Sequence, residues 1–188
     1  MATAAKAIDI ANRFVECAKR DSMEITPLHI QKLLYFAQGW HLALHRSPLF
    51  QEPVQAWQYG PVVTAVYHRL KPAGAGDLRA HVGDRVSPLS SEHSSFVEQI
   101  WRTYGHLNAG RLSDMTHQEA PWRDVRHGMG PEERSNQVIS TEAIEKFFRE
   151  QLSRSDRRLI EFGSSPSDLQ RAVADADAGR LAPLDMLS

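Results

Sequence analysis

His41 and His45 stand four residues apart in a segment patterned as a helix, the spacing at which two imidazoles can share one metal ion. Nothing in the sequence completes the set. The spacing is not HExxH, Cys17 is the only cysteine, and paired histidines of this kind are common on helix surfaces. We therefore expect neither a metal site nor a cofactor, and read His29 on the same segment in the same way. Nucleophilic catalysis is the next chemistry to consider. Nine histidines with many serines and carboxylates allow a Ser-His-Asp set on paper, but no GxSxG elbow places a nucleophile on a strained turn. A hydrolase would need His41, His117 and Asp114 to converge in one pocket. The GAGD stretch at 74 to 77 lacks both the lysine and the flanking strand of a phosphate-binding loop. The chain is not expected to be an enzyme.

What remains is a set of aromatic and apolar residues beside turns: Trp57, Tyr59, Gly60, Pro61 and Val62, and the pair Pro121 and Trp122. Aromatic side chains offer large contact area at small entropic loss, so these seven are the candidate partner-binding residues. Each tryptophan taken singly reads first as core, and only as a group do they favour a recognition surface.

These residues need a frame, and the longest helical pattern, Thr26 to His45, supplies its centre. Thr26 is a suitable N-cap, and Pro27 fits the first helical position, where its missing N–H would have been unpaired anyway. Apolar residues cover most of the circumference, which places the helix inside a bundle. Its position after an amphipathic stretch over residues 3 to 20 also suggests the start of a helix-turn-helix. A recognition helix needs an exposed polar face, however, and this one carries only Lys32 and Arg46 as fixed positive charges.

Beyond it, VQAWQY reads as a short strand that Gly60 and Pro61 stop, with Pro61 opening a helix through Val62, Val63, Val66 and Leu70. Residues 73 to 91 read as a surface loop, with a brief extended piece around Arg85 to Leu89. Ser90 or Ser91 caps a helix ending near Gly105, Asn108 caps a shorter one, and Pro121 with Trp122 forms a tight helical turn. Gln137 to Ile139 suggests another strand, and Ser140 or Thr141 starts a helix carrying Ile144, Phe147, Phe148 and Leu152. The expected fold is mainly α, a compact helical domain around a central buried helix. It has a small two- or three-stranded β element and a C-terminal helical appendage. Residues 1–153 form the domain, and 154–188 an extension with a weakly apolar last helix ending at Gly179.

Composition narrows the setting. Twenty-two basic and 23 acidic side chains give a net charge of -1, so no chain-wide field attracts nucleic acid or an anionic membrane. A lone cysteine, the lack of a secretory h-region and the lack of any apolar run near the ~20 residues of a membrane span point to a cytoplasmic protein with no membrane partner.

Five stretches in order, IQKLLYFAQGWHLAL, PLF, AWQYGPVVTAVYHRLK, LSDMTHQEAPWRDVR and VISTEAIEKFF, carry a family resemblance. From about Thr26 to about Phe148 the chain resembles the Panacea domain family, which includes phage-associated GepA-like proteins and SocA-like antitoxins. The resemblance implies a mainly helical antitoxin of a bacterial or prophage toxin-antitoxin system. It would neutralise by direct binding a cognate protein toxin encoded by the adjacent gene. For the SocA branch it also implies a proteolytic adaptor that delivers the toxin to the ClpXP protease. It implies no catalytic residues. The 154–188 extension lies outside the matched stretches and is the candidate for partner choice. The rival reading is a DNA-binding regulator of its own operon.

Overall fold

In the computed structural model, which describes residues 4–80 and 88–154, the central helix α2 spans Pro27–His45. The Thr26 hydroxyl accepts the His29 N–H at 3.3 Å, and Pro27 occupies the first turn. At the other end Arg46 adopts a left-handed conformation with φ 57°, and its N–H closes on the Leu42 carbonyl. Every residue from 29 to 39 is buried, as an all-round apolar helix requires. With that burial, α2 has no face left to read DNA.

Around it pack α1 (Ala7–Arg20), α4 (Ser91–Tyr104), α5 (Ala109–Gln118) and α7 (Thr141–Arg154). Ser90, Asn108 and Ser140 accept N–H groups of His93, Arg111 and Ala143, so all three sequence-assigned caps form. The helix α7 lies against α2 in the opposite direction. Arg46 reaches Glu145, while Phe148 packs edge-on against Tyr35 and Trp40 further toward the start of α2. Gly39 makes that approach possible, because any Cβ there would run into the Phe148 ring. Leu49 and Phe50 fold back into the core, where the Gln38 amide accepts both their N–H groups and donates to the Phe50 carbonyl at 2.9 Å.

The strand region differs from the sequence expectation at one point. Gly60 and Pro61 do not stop the sheet; they begin its second strand. β1 (Val54–Trp57) and β2 (Gly60–Val63) form an antiparallel hairpin closed by Gln58 and Tyr59, with Trp57 opposite Gly60. Gly60 at φ +96° gives the tight turn its positive dihedral, and Pro61 is tolerated because it faces away from a ladder bond on an edge strand. The next helix, α3, therefore starts at Thr64 and ends at Leu70, so Val62 and Val63 belong to strand. β3 (Val138–Ile139) pairs on the other side of β1, giving the order β2-β1-β3. Pro121 and Trp122 lie in α6 (Ala120–Val125), the expected short turn of helix.

Residues 73 to 80 are less superficial than expected. Short 3-10 turns occur at Lys71–Ala73 and Leu78–Ala80, and Leu78 is buried with its N–H on the Ile25 carbonyl. The extended piece assigned around Arg85, the last helix ending at Gly179 and the extension beyond Arg154 lie outside the described residues. Among the described residues, no helix is long and apolar enough to cross a membrane.

Candidate functional site

The hairpin turn between β1 and β2 is held from beneath by groups on α2, α5 and α6 and by Arg126 just past α6. Lys32 of α2 is fully buried, and its ammonium donates to the carbonyls of Tyr59 and, at 3.4 Å, Pro61. Ser113 of α5 donates to the same Tyr59 carbonyl at 3.0 Å. The backbone of Tyr59 is thus drawn inward while its ring remains 64% exposed. Trp122 of α6 donates its indole N–H to the Trp57 carbonyl at 2.8 Å and stacks on His117 at 4.3 Å. Arg126, also buried, donates to the Ala56 carbonyl and to those of Gly130 and Glu133, tying β1 to the 130–133 loop. Its guanidinium lies 5.2 Å from the centre of the Trp122 ring.

Burial sets the electrostatics here. It pushes the Lys32 amine down to about 7 and, under α5, pushes the Glu119 carboxyl up to about 8. Glu119 is 1% exposed, and neither of its oxygens makes a well-formed hydrogen bond. The nearby Tyr35 hydroxyl likewise lacks a well-formed hydrogen bond and is raised by burial, then by Glu119. His117 is lowered by burial first and the Lys32 charge second. Lys32 and His117 thus lie together beneath the turn, and Glu119 and Tyr35 form a second, buried polar pair.

The turn lines a groove of about 1020 Å³. Trp57, Tyr59 and Val62 line it with Pro27, Leu28 and Tyr67, and the 134–136 segment forms part of its rim. Trp57 is fixed by an edge contact with Tyr67 at 4.7 Å and by its indole N–H on Gln55 at 2.8 Å. The seven candidate residues therefore cluster, with two placements. Trp57, Tyr59 and Val62 face the groove, whereas Gly60, Pro61 and Pro121 are buried and Trp122 supports the turn from below. The sequence analysis gave Lys32 no role beyond that of a fixed positive charge on α2, and gave Arg126 and Glu119 none. The one available signal was a lysine inside an otherwise apolar circumference.

The histidines do other work. His41 is buried, bonded through Nδ1 to the Ser47 carbonyl at 2.7 Å, and lowered to about 4 by burial above all. His45 and His93 approach its ring at 4.5 and 5.7 Å. Among the described residues no three His, Cys, Asp or Glu side chains are placed to hold a metal ion. His117 lies beside Lys32, nine residues from His41 along α2 and so roughly 14 Å away in helix rise. The hydrolase trio does not converge.

The structure is thus a helical scaffold with a braced aromatic turn beside an open groove. The family described as antitoxin SocA-like, Panacea domain, matches residues 30–123, from the first turn of α2 into α6. Antitoxin SocA of Caulobacter vibrioides (strain NA1000 / CB15N) is 30% identical over 132 residues, covering 64% of this chain and 70% of the relative. The chain belongs to the SocA-like Panacea family of antitoxins. No solved structure matches it.

Proposed function

We propose that this chain is the antitoxin of a two-gene pair and neutralises a cognate protein toxin, encoded by the adjacent gene, by binding it directly in the cytoplasm without an enzymatic step. Family membership carries the reading. The supported turn and its groove favour Trp57, Tyr59 and Val62 as contact residues, with Gly60, Pro61, Pro121 and Trp122 holding them in place. Co-expression with the adjacent gene's product is expected to restore growth and to yield a complex that co-purifies. Absence of both would remove the reading.

Delivery of the toxin to the ClpXP protease is the finer form of the proposal. It predicts that the toxin's half-life shortens when the antitoxin is present and recovers in cells lacking the protease; an unchanged half-life leaves blocking by binding alone. The 154–188 extension contributes to toxin choice in this reading. Deleting residues 155–188 is then expected to weaken the complex, and unchanged affinity would exclude the extension from recognition.

A further inference from the structure

The groove beside the hairpin has no free strand edge on its β2 side. The Gln31 amide accepts the Val63 N–H at 2.8 Å and donates to the Val63 carbonyl, so it occupies both groups that an added strand would use. Pro61 has no N–H, and its carbonyl takes the Lys32 ammonium. Pairing through the backbone is therefore blocked here, and an occupant must be recognised through side chains.

The walls say which side chains. Leu28, 37% exposed, and Tyr59, 64% exposed, are two of the three exposed large apolar residues among those described, and both line the groove. Its volume of about 1020 Å³ reaches the top of the range of small-molecule clefts, ~300–1,000 Å³. Among the described lining residues Arg134 alone carries a full charge. It is exposed and has no ion-pair partner among the described residues. The two carboxylates beside it in sequence are engaged: Glu132 accepts from the Gln58 amide at 2.6 Å, and Glu133 from the Gly130 N–H. The Arg126 bonds to the Gly130 and Glu133 carbonyls hold this segment in place.

We propose that the groove receives an amphipathic helix of the protein partner, with bulky apolar side chains against Leu28, Trp57 and Tyr59 and a carboxylate against Arg134. A helix satisfies its own backbone, presents side chains at i, i+3 and i+4, and needs nothing from the capped β2 edge. The inference rests on the reading that this chain binds a protein toxin, and it names the chemistry of the toxin segment.

The test uses the full-length chain and the product of the adjacent gene. Leu28→Glu and Arg134→Glu are expected to weaken the complex by ~tenfold or more, Arg134→Lys to retain most of the affinity, and Lys146→Glu on the exposed face of α7 to leave it unchanged. All three positions are exposed, so thermal midpoints are expected to match the parent chain. A photoreactive side chain at Tyr59 is expected to crosslink to a partner segment with helical apolar spacing and an Asp or Glu. If the complex forms but Leu28→Glu and Arg134→Glu bind like the parent, or the crosslink falls on a strand, the helix proposal is overturned and toxin binding stands. If no complex forms with the parent chain, both fall together. Hydrogen exchange at 27–31 and 57–62 in the free protein is expected to be the same with and without residues 155–188. Faster exchange on truncation would make the chain's own extension the occupant and overturn the proposal.

Discussion

Lys32 and Glu119 are costly residues to bury, and their costs run in opposite directions with pH. Lys32 titrates near 10.5 in an unfolded chain and at about 7 in the fold. Between those values the unfolded chain holds a proton that the folded one has released, so the Lys32 contribution to stability rises with pH across that window. Glu119 titrates near 4.5 unfolded and at about 8 folded. Its folded form keeps a proton the unfolded chain has lost, so its contribution falls as pH rises from 4.5 to 8. Urea unfolding of Glu119→Gln should show a stability advantage over the parent that grows from pH 5 to pH 8.5, on the order of a few kcal/mol. A difference independent of pH would mean that the carboxyl does not titrate in that range. Lys32→Met removes the donor to the Tyr59 and Pro61 carbonyls. Its stability relative to the parent should decline between pH 7 and 9.5, and amide exchange at Gln58 to Gly60 should quicken. Unchanged exchange there would show that the ammonium is not what holds the turn.

At the level of elements, the hairpin depends on one dihedral and one close approach. Gly60 sits at φ +96°, and a Cβ there would press on the Lys32 ammonium and lie 2.7 Å from the Thr116 hydroxyl. Backbone strain and displaced donors act together, so Gly60→Ala is expected to cost about 2–4 kcal/mol. Chemical denaturation measures this, and a cost under ~0.5 kcal/mol would mean that the turn relaxes freely. This hairpin is also where reading by pattern failed. Gly followed by Pro is a common stop signal, and Pro61 with Val62, Val63 and Val66 has the spacing of a helix start. The strand won because Val63 finds both its backbone partners in the side chain of Gln31, a residue 32 positions away. Local spacing cannot register such a bond.

Over the whole molecule, α2 separates stability from recognition. Leu34 is fully buried among core side chains and does not line the groove. Leu34→Ala is expected to cost ~2–5 kcal/mol of folding stability while leaving toxin affinity per folded molecule unchanged. Calorimetric unfolding beside titration with the partner checks both, and a fully folded variant that no longer binds would extend the interface from the first turn of α2 to its buried middle. Trp40 is a less severe site than its size suggests. It is half-buried, donating its indole N–H to the Tyr104 hydroxyl at 2.8 Å and packing edge-on to Phe148. Substitution there should act through the α2, α4 and α7 junction.

The sequence by itself determined the helices, their caps and the central place of α2, because those follow from periodicity and from side chains bonding within a few residues of themselves. It also marked Trp57, Tyr59 and Val62, since aromatic and apolar residues beside turns are visible in the sequence, and it carried the family in five ordered motifs. Tertiary structure alone decided that Lys32 is buried, that Arg126 and Trp122 brace the hairpin, and that Leu28 and Arg134 meet across one groove. Each of those facts depends on groups far apart in the chain, and their cost or benefit exists only once the fold has excluded water from between them.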